Sequence, residues 1–161
     1  MSSTHHKFRV LFVCTQNKVR SLTAEHLYRD RADLEVRSCG TAAFAKNQLT
    51  DEVMNWAEMV FIFDDLQQEV IEKRFGKDAL GKEVIKLGLE DIYQYKSESL
   101  VNKLIAKIEP YLGRPNAKSA VIKRRKNPKP VHAGPSTVTV SFLSKVLAAV
   151  GVKKSRSAKS D

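Results

Sequence analysis

Short apolar runs alternate with helical segments along most of this sequence, and that order leaves few folds open. Residues 8–13 (FRVLFV) and 58–63 (EMVFIF) are near-continuous apolar stretches rich in β-branched and aromatic residues, the pattern of strands buried on both faces of a parallel sheet. Residues 34–38 read as a further strand closed by Cys39, Gly40 and Thr41, and residues 84–87 as a short fourth one. Helical segments lie between them. Ser21 offers an N-cap, and Leu22, Ala24, Glu25, Leu27 and Tyr28 continue at helical spacing toward Arg31. Thr50, Asp51 and Glu52 cap a helix to about Trp56, and residues 66–75 are helical with a stop at Gly76. Residues 97–108 carry an apolar stripe of Leu100, Val101, Leu104, Ile105 and Ile108. Such alternation predicts an α/β fold, a small parallel four-stranded sheet with helices on both faces, whose site lies at the carboxyl ends of the strands.

The length of 161 residues suits one domain with a proper core. Charge then divides the chain. Residues 1–113 hold 16 Lys and Arg against 17 Asp and Glu, whereas 114–161 hold 12 against 1. The sequence therefore predicts a folded domain over 1–112 and a basic, disordered linker or tail over 113–161. Gly113, Pro115, Pro128, Pro130, Gly134 and Pro135 punctuate that tail, around the cationic run at Lys123, Arg124, Arg125 and Lys126. Leu143, Val146, Leu147 and Val150 mark a short amphipathic helix within it. The cationic run is expected either as a solvated segment or as a contact for a polyanion. Residues 1–7 carry no apolar leader and no run approaches the ~20 residues of a membrane span, so the expectation is a cytoplasmic protein. In a reducing compartment the two cysteines, Cys14 and Cys39, are expected as thiols.

Cys14-Thr15-Gln16-Asn17-Lys18-Val19-Arg20-Ser21 stands between the first strand and the first helix. A Cys followed by an Arg six positions later is by itself a weak signal, but the flanking elements give the spacing meaning. Loop amides and the first-turn N–H groups converge there on one point with the helix dipole behind them, a nest for a tetrahedral oxyanion. Arg20 can close the ring by pairing its planar fork with two oxygens, which Lys could not reproduce. The same positive surroundings favour a thiolate at Cys14, to which Ser21 can add a hydroxyl hydrogen bond. The plain alternative for Cys14 is a small buried residue at a strand end.

The stretch VLFVCTQNKVRSLTAEHLY resembles the opening of the low-molecular-weight protein tyrosine phosphatase family, and ADLEVRSCGTA is similar to the strand and Gly-Thr turn that follow it. The likeness continues to about residue 112. Asp91-Ile92-Tyr93 resembles the family's late Asp-Pro-Tyr element, in which the Asp is the general acid and the Tyr lines the substrate cleft. The resemblance implies metal-independent hydrolysis of a phosphomonoester, of protein phosphotyrosine type, through a phosphocysteine and without a cofactor. On it Cys14 attacks phosphorus, Thr15, Gln16, Asn17, Lys18, Val19, Arg20 and Ser21 bind the phosphate, and Asp91 protonates the leaving oxygen. Tyr93 and Phe44 would line the cleft, and Asn17 would hold the loop in an unusual backbone conformation. Departures from the family are Val19 where a second Cys is usual, Gln16 for a common Gly, and Ile92 for a common Pro.

Asp64 and Asp65, directly after the third strand, rival Asp91 as the general acid; the plainer reading makes them a helix N-cap and first-turn charge. Cys39 reads as packing, with a redox partnership to Cys14 of the arsenate reductase kind as its alternative. His5, His6, His26 and His132 show no spacing that a zinc site needs. Two other functions use a similar loop: a phosphocysteine carrier resembling the sugar-phosphotransferase IIB component, and a phosphate-loop binding module with a polyanion-binding tail. Arg20 and Asp91 argue against the first, and the joint presence of Cys14, Asn17, Arg20 and Ser21 against the second.

Overall fold

The computed structural model describes residues 6–120. Four parallel strands, β1 (Phe8–Cys14), β2 (Leu34–Gly40), β3 (Met59–Ile62) and β4 (Glu83–Lys86), form one sheet in the order β2-β1-β3-β4. The helices between and after them are α1 (Arg20–Tyr28), α2 (Asp51–Trp56), α3 (Asp65–Phe75), α4 (Glu98–Leu112) and α5 (Ala117–Ala120). A single 3₁₀ turn, Ala79–Gly81, precedes β4. The expected four-stranded α/β architecture is the observed one.

Alternation along β1 divides the interior in two. Val10, Phe12 and Cys14 face a core shared with Ala24, Leu27 and Tyr28 of α1 and with Leu100, Leu104 and Ile108 of α4. Leu11 and Val13 face the opposite side, with Met54 of α2, Ile71 of α3 and Cys39. Period-2 side chains on a strand covered on both faces require this division. It places the two thiols, both buried and both free, on opposite faces of the sheet. The packing role expected of Cys39 follows.

The strand order reverses direction beside β1, because the connection to β2 leaves one way and that to β3 the other. A crevice opens at the carboxyl end of the sheet at such a switch point. The loop after β1 and the loop after β3 meet there.

Two helix ends differ from expectation. Ser21 is not the N-cap of α1: the helix starts at Arg20 after Val19, which makes no side-chain cap bond, and the Ser21 hydroxyl is committed to Cys14 and Asn17. Helix α4 runs through Pro110 to Leu112 instead of ending near residue 108. The burial of Ile108 and Leu112 continues the apolar stripe past the proline, and Gly113, at φ 74°, terminates the helix. The chain also keeps packing beyond residue 112. Arg31 Nη1 donates to the carbonyls of Leu112 (2.7 Å) and Arg114 (2.9 Å), and Ser119 Oγ donates to Asp30 (2.7 Å). The cationic run at 123–126 and the apolar positions at 143–150 lie outside the described residues. No helix among the described residues is long and apolar enough to cross a membrane.

Candidate active site

Cys14 is the last residue of β1, and the chain turns under its own sulfur. The Asn17 amide donates to Cys14 Sγ at 3.2 Å, and Ser21 Oγ lies 3.0 Å from the same atom. Asn17 adopts φ 53°, the left-handed conformation that asparagine tolerates better than most residues. Its side chain is fully buried and its Nδ2 donates to Ser21 Oγ (3.0 Å) and Ser38 Oγ (2.8 Å).

Arg20 is 2% exposed, an unusual place for a guanidinium. Its Nη1 donates to Asp64 Oδ2 (2.7 Å) and to the Leu89 carbonyl (2.9 Å), and its Cζ sits 5.5 Å from the Phe63 ring centroid. Nε approaches the Asp91 carboxylate to 3.1 Å as an ion pair without hydrogen-bond alignment, and it is a buried donor without an aligned partner. An orphaned donor on a fixed guanidinium is what an incoming oxyanion would satisfy.

Neighbouring loops hold this turn from two sides. Gln67 Nε2 donates to Thr15 Oγ1 at 3.0 Å, while its Oε1 accepts from the amides of Phe63 and Asp64. On the other side the Thr41 and Ala42 amides donate to the carbonyls of Cys14 and Thr15, and the Lys46 amide to that of Gln16. Gly40 makes this approach possible: a Cβ there would lie 2.6 Å from both Ala45 Cβ and the Thr15 carbonyl oxygen.

A model described as low molecular weight phosphotyrosine protein phosphatase matches residues 9–74, the stretch that builds both loops. Over that stretch the chain is similar to that family. No curated protein sequence matches the chain. Among solved structures, it is similar to the tyrosine phosphatase Wzb from Escherichia coli K30, at 19% identity over 66% of this chain and 96% of that one, with TM-score 0.52. The YwlE arginine phosphatase from Geobacillus stearothermophilus aligns at 25% identity over 63% of this chain and 84% of that one, with TM-score 0.45.

Asp64 proves to be both N-cap and arginine partner. Its Oδ1 accepts from the Leu66 amide in a reciprocal capping box with Gln67, while Oδ2 holds Arg20. Burial works against its charge, but the Arg20 and Gln67 hydrogen bonds outweigh that and hold its carboxyl below the ordinary range. Asp65 pairs instead with Lys86. Asp91 is exposed and reaches the site only through Arg20. Tyr93 is half-buried against the α4 core, with the Lys103 ammonium 5.5 Å from its ring centroid. Phe44 is exposed on the loop whose backbone props the Cys14 turn. Lys18 is exposed, and Gln16 and Val19 are half-buried. Gln67, Ser38, Glu25 and the closeness of Gly40 carried no signal in the linear sequence beyond a Gly at a strand end. Burial and the neighbouring Cys14 push the Cys39 thiol up to about 12.

Proposed function

We propose that this protein is a cysteine-based phosphatase that hydrolyses phosphomonoesters, of phosphotyrosine type, through a phosphocysteine on Cys14, without a metal. The observation that carries the reading is the conjunction of Cys14 Sγ, received by the Asn17 amide and Ser21, with a buried Arg20 whose Nε lacks an aligned partner. The Cys14 thiolate attacks phosphorus; an S–P bond forms as the P–O bond to the leaving group breaks. The amides of residues 15–20 and the Arg20 fork receive the equatorial oxygens as charge develops. Asp91 gives its proton to the leaving oxygen, then takes one from the water that attacks the phosphocysteine and releases phosphate. Asp91 suits this role better than Asp64, whose two oxygens are committed to Arg20 and the α3 cap. Phe44 and Tyr93 supply the aromatic surface flanking the site. The basic tail over 113–161 is proposed as a contact for polyanions.

The deciding experiment is hydrolysis of an aryl phosphate in EDTA by the wild type, Cys14→Ser and Asp91→Asn, with vanadate as competitor. Loss of turnover in Cys14→Ser and a fall of about 10²-fold or more in Asp91→Asn are expected. Turnover within tenfold of wild type in Cys14→Ser would end the nucleophile assignment. Comparing phosphotyrosine with phosphoarginine peptides then fixes the substrate class.

A further inference from the structure

Glu25, half-buried on α1, accepts a hydrogen bond from Ser38 Oγ. It ends a chain of polar groups that begins at the reactive sulfur and passes through Ser21, Asn17 and Ser38. From the geometry we infer that Glu25 sets the direction of this whole chain and thereby commits the Ser21 proton to Cys14. It is a positioning residue for the nucleophile, and the inference rests on the reading of Cys14 given above.

The argument is one of donors and acceptors. A carboxylate can only accept, so the single Ser38 proton goes to Glu25. The Ser38 oxygen must then accept from Asn17, at 2.8 Å, which requires the amide to present Nδ2. With the amide turned over, its oxygen would face a Ser38 lone pair at that distance. Asn17 is therefore held with Nδ2 toward both serines, although its Oδ1 is left buried without a partner. Ser21 Oγ accepts the second Nδ2 proton, so its own proton must go elsewhere. Cys14 Sγ at 3.0 Å is nearer than the Cys39 carbonyl at 3.4 Å. A hollow of about 220 Å³ lined in part by Glu25, Arg37, Ser38 and Gln48 opens the carboxylate to solvent.

Replacing Glu25 by glutamine keeps the shape but supplies a donor. Ser38 can then give its proton to a turned Asn17 amide, which competes with Cys14 for the Ser21 proton. The test is carried out in the full chain by following carboxymethylation of Cys14 with iodoacetate at fixed pH, alongside kcat and KM on an aryl phosphate. Glu25→Gln is expected to slow alkylation and lower kcat by about fivefold each, the size of one neutral hydrogen bond, with KM nearly unchanged. In a Ser38→Ala background the same substitution should change neither. The sign is diagnostic, because loss of a nearby negative charge alone would favour the thiolate and speed alkylation. Unchanged or faster alkylation in Glu25→Gln overturns the inference. If that variant does not unfold cooperatively, Ser38→Ala alone carries the test, with the same slowing expected and an unchanged rate overturning it. Inactive Cys14→Ser with a neutral Glu25→Gln removes the polarity argument only; active Cys14→Ser removes the nucleophile reading and this inference with it.

Discussion

Arg20 Nη1 donates to Asp64 Oδ2 at 2.7 Å, a bond across the crevice that ties the loop after β1 to the helix after β3. Together with the Leu89 carbonyl it aims a buried guanidinium. Asp64→Asn keeps an N-cap but gives up the charge. We expect a loss of about 1–2 kcal/mol at neutral pH, below that of a fully buried pair because Asp64 is partly exposed. Chemical denaturation at several pH values checks it. The folded carboxyl lies below its ordinary value of 3.8, so its stabilisation is present above that value and disappears as pH falls through the folded one. Wild type and Asp64→Asn should therefore converge in strong acid, and a constant difference would contradict the assignment.

Gly40→Ala is expected to be far more damaging to turnover than its size suggests. The new methyl would meet the Thr15 carbonyl oxygen at 2.6 Å and the Asn17 nitrogen at 2.9 Å, both backbone atoms of the Cys14 turn. A displacement of that turn by a fraction of an ångström to 1 Å should lower kcat by about a hundredfold. Steady-state kinetics beside a melting curve separates this from unfolding.

His26, on the last turn of α1, pairs with the Tyr95 hydroxyl and is lowered to about 4 from 6.5. Burial is the main cause, followed by the charges of Arg29, Lys96 and Lys46, against a smaller opposing effect of Asp30. A histidine with a depressed folded value stabilises fully above about 6.5 and loses that contribution as pH falls from there toward 4. His26→Gln should flatten the stability profile over that window. An NMR titration of the ring giving an ordinary midpoint would refute the prediction.

Ending the chain after Ala120 should leave hydrolysis of a small aryl phosphate intact. Ending it after Tyr111 removes buried Leu112 and two carbonyls that satisfy Arg31, and should cost about 2–4 kcal/mol. Melting temperatures of the two shortened chains make the comparison.

The strands, the first loop and the order of elements were readable because each rests on local signals: apolar runs, a cap, a glycine stop. Asp64 was readable as a cap for the same reason. Its bond to Arg20, and that of Gln67 to Thr15, depend instead on which strands neighbour β1, which no local pattern encodes. Ser21 was misread as a cap because a serine before a helical stripe satisfies that pattern equally well. The helix expected over 97–108 continues through Pro110 to Leu112 because the apolar contact of Leu112 with the core outweighs the missing N–H.

The alternation that sends Cys14 to one face of the sheet and Cys39 to the other bears on how this protein meets an oxidant. A sulfenic acid formed at Cys14 has no second thiol of its own chain to condense with, since these are the only two cysteines. Its return to the thiolate depends on a small thiol from solution reaching the loop. Further oxidation to the sulfinic acid ends activity for that molecule.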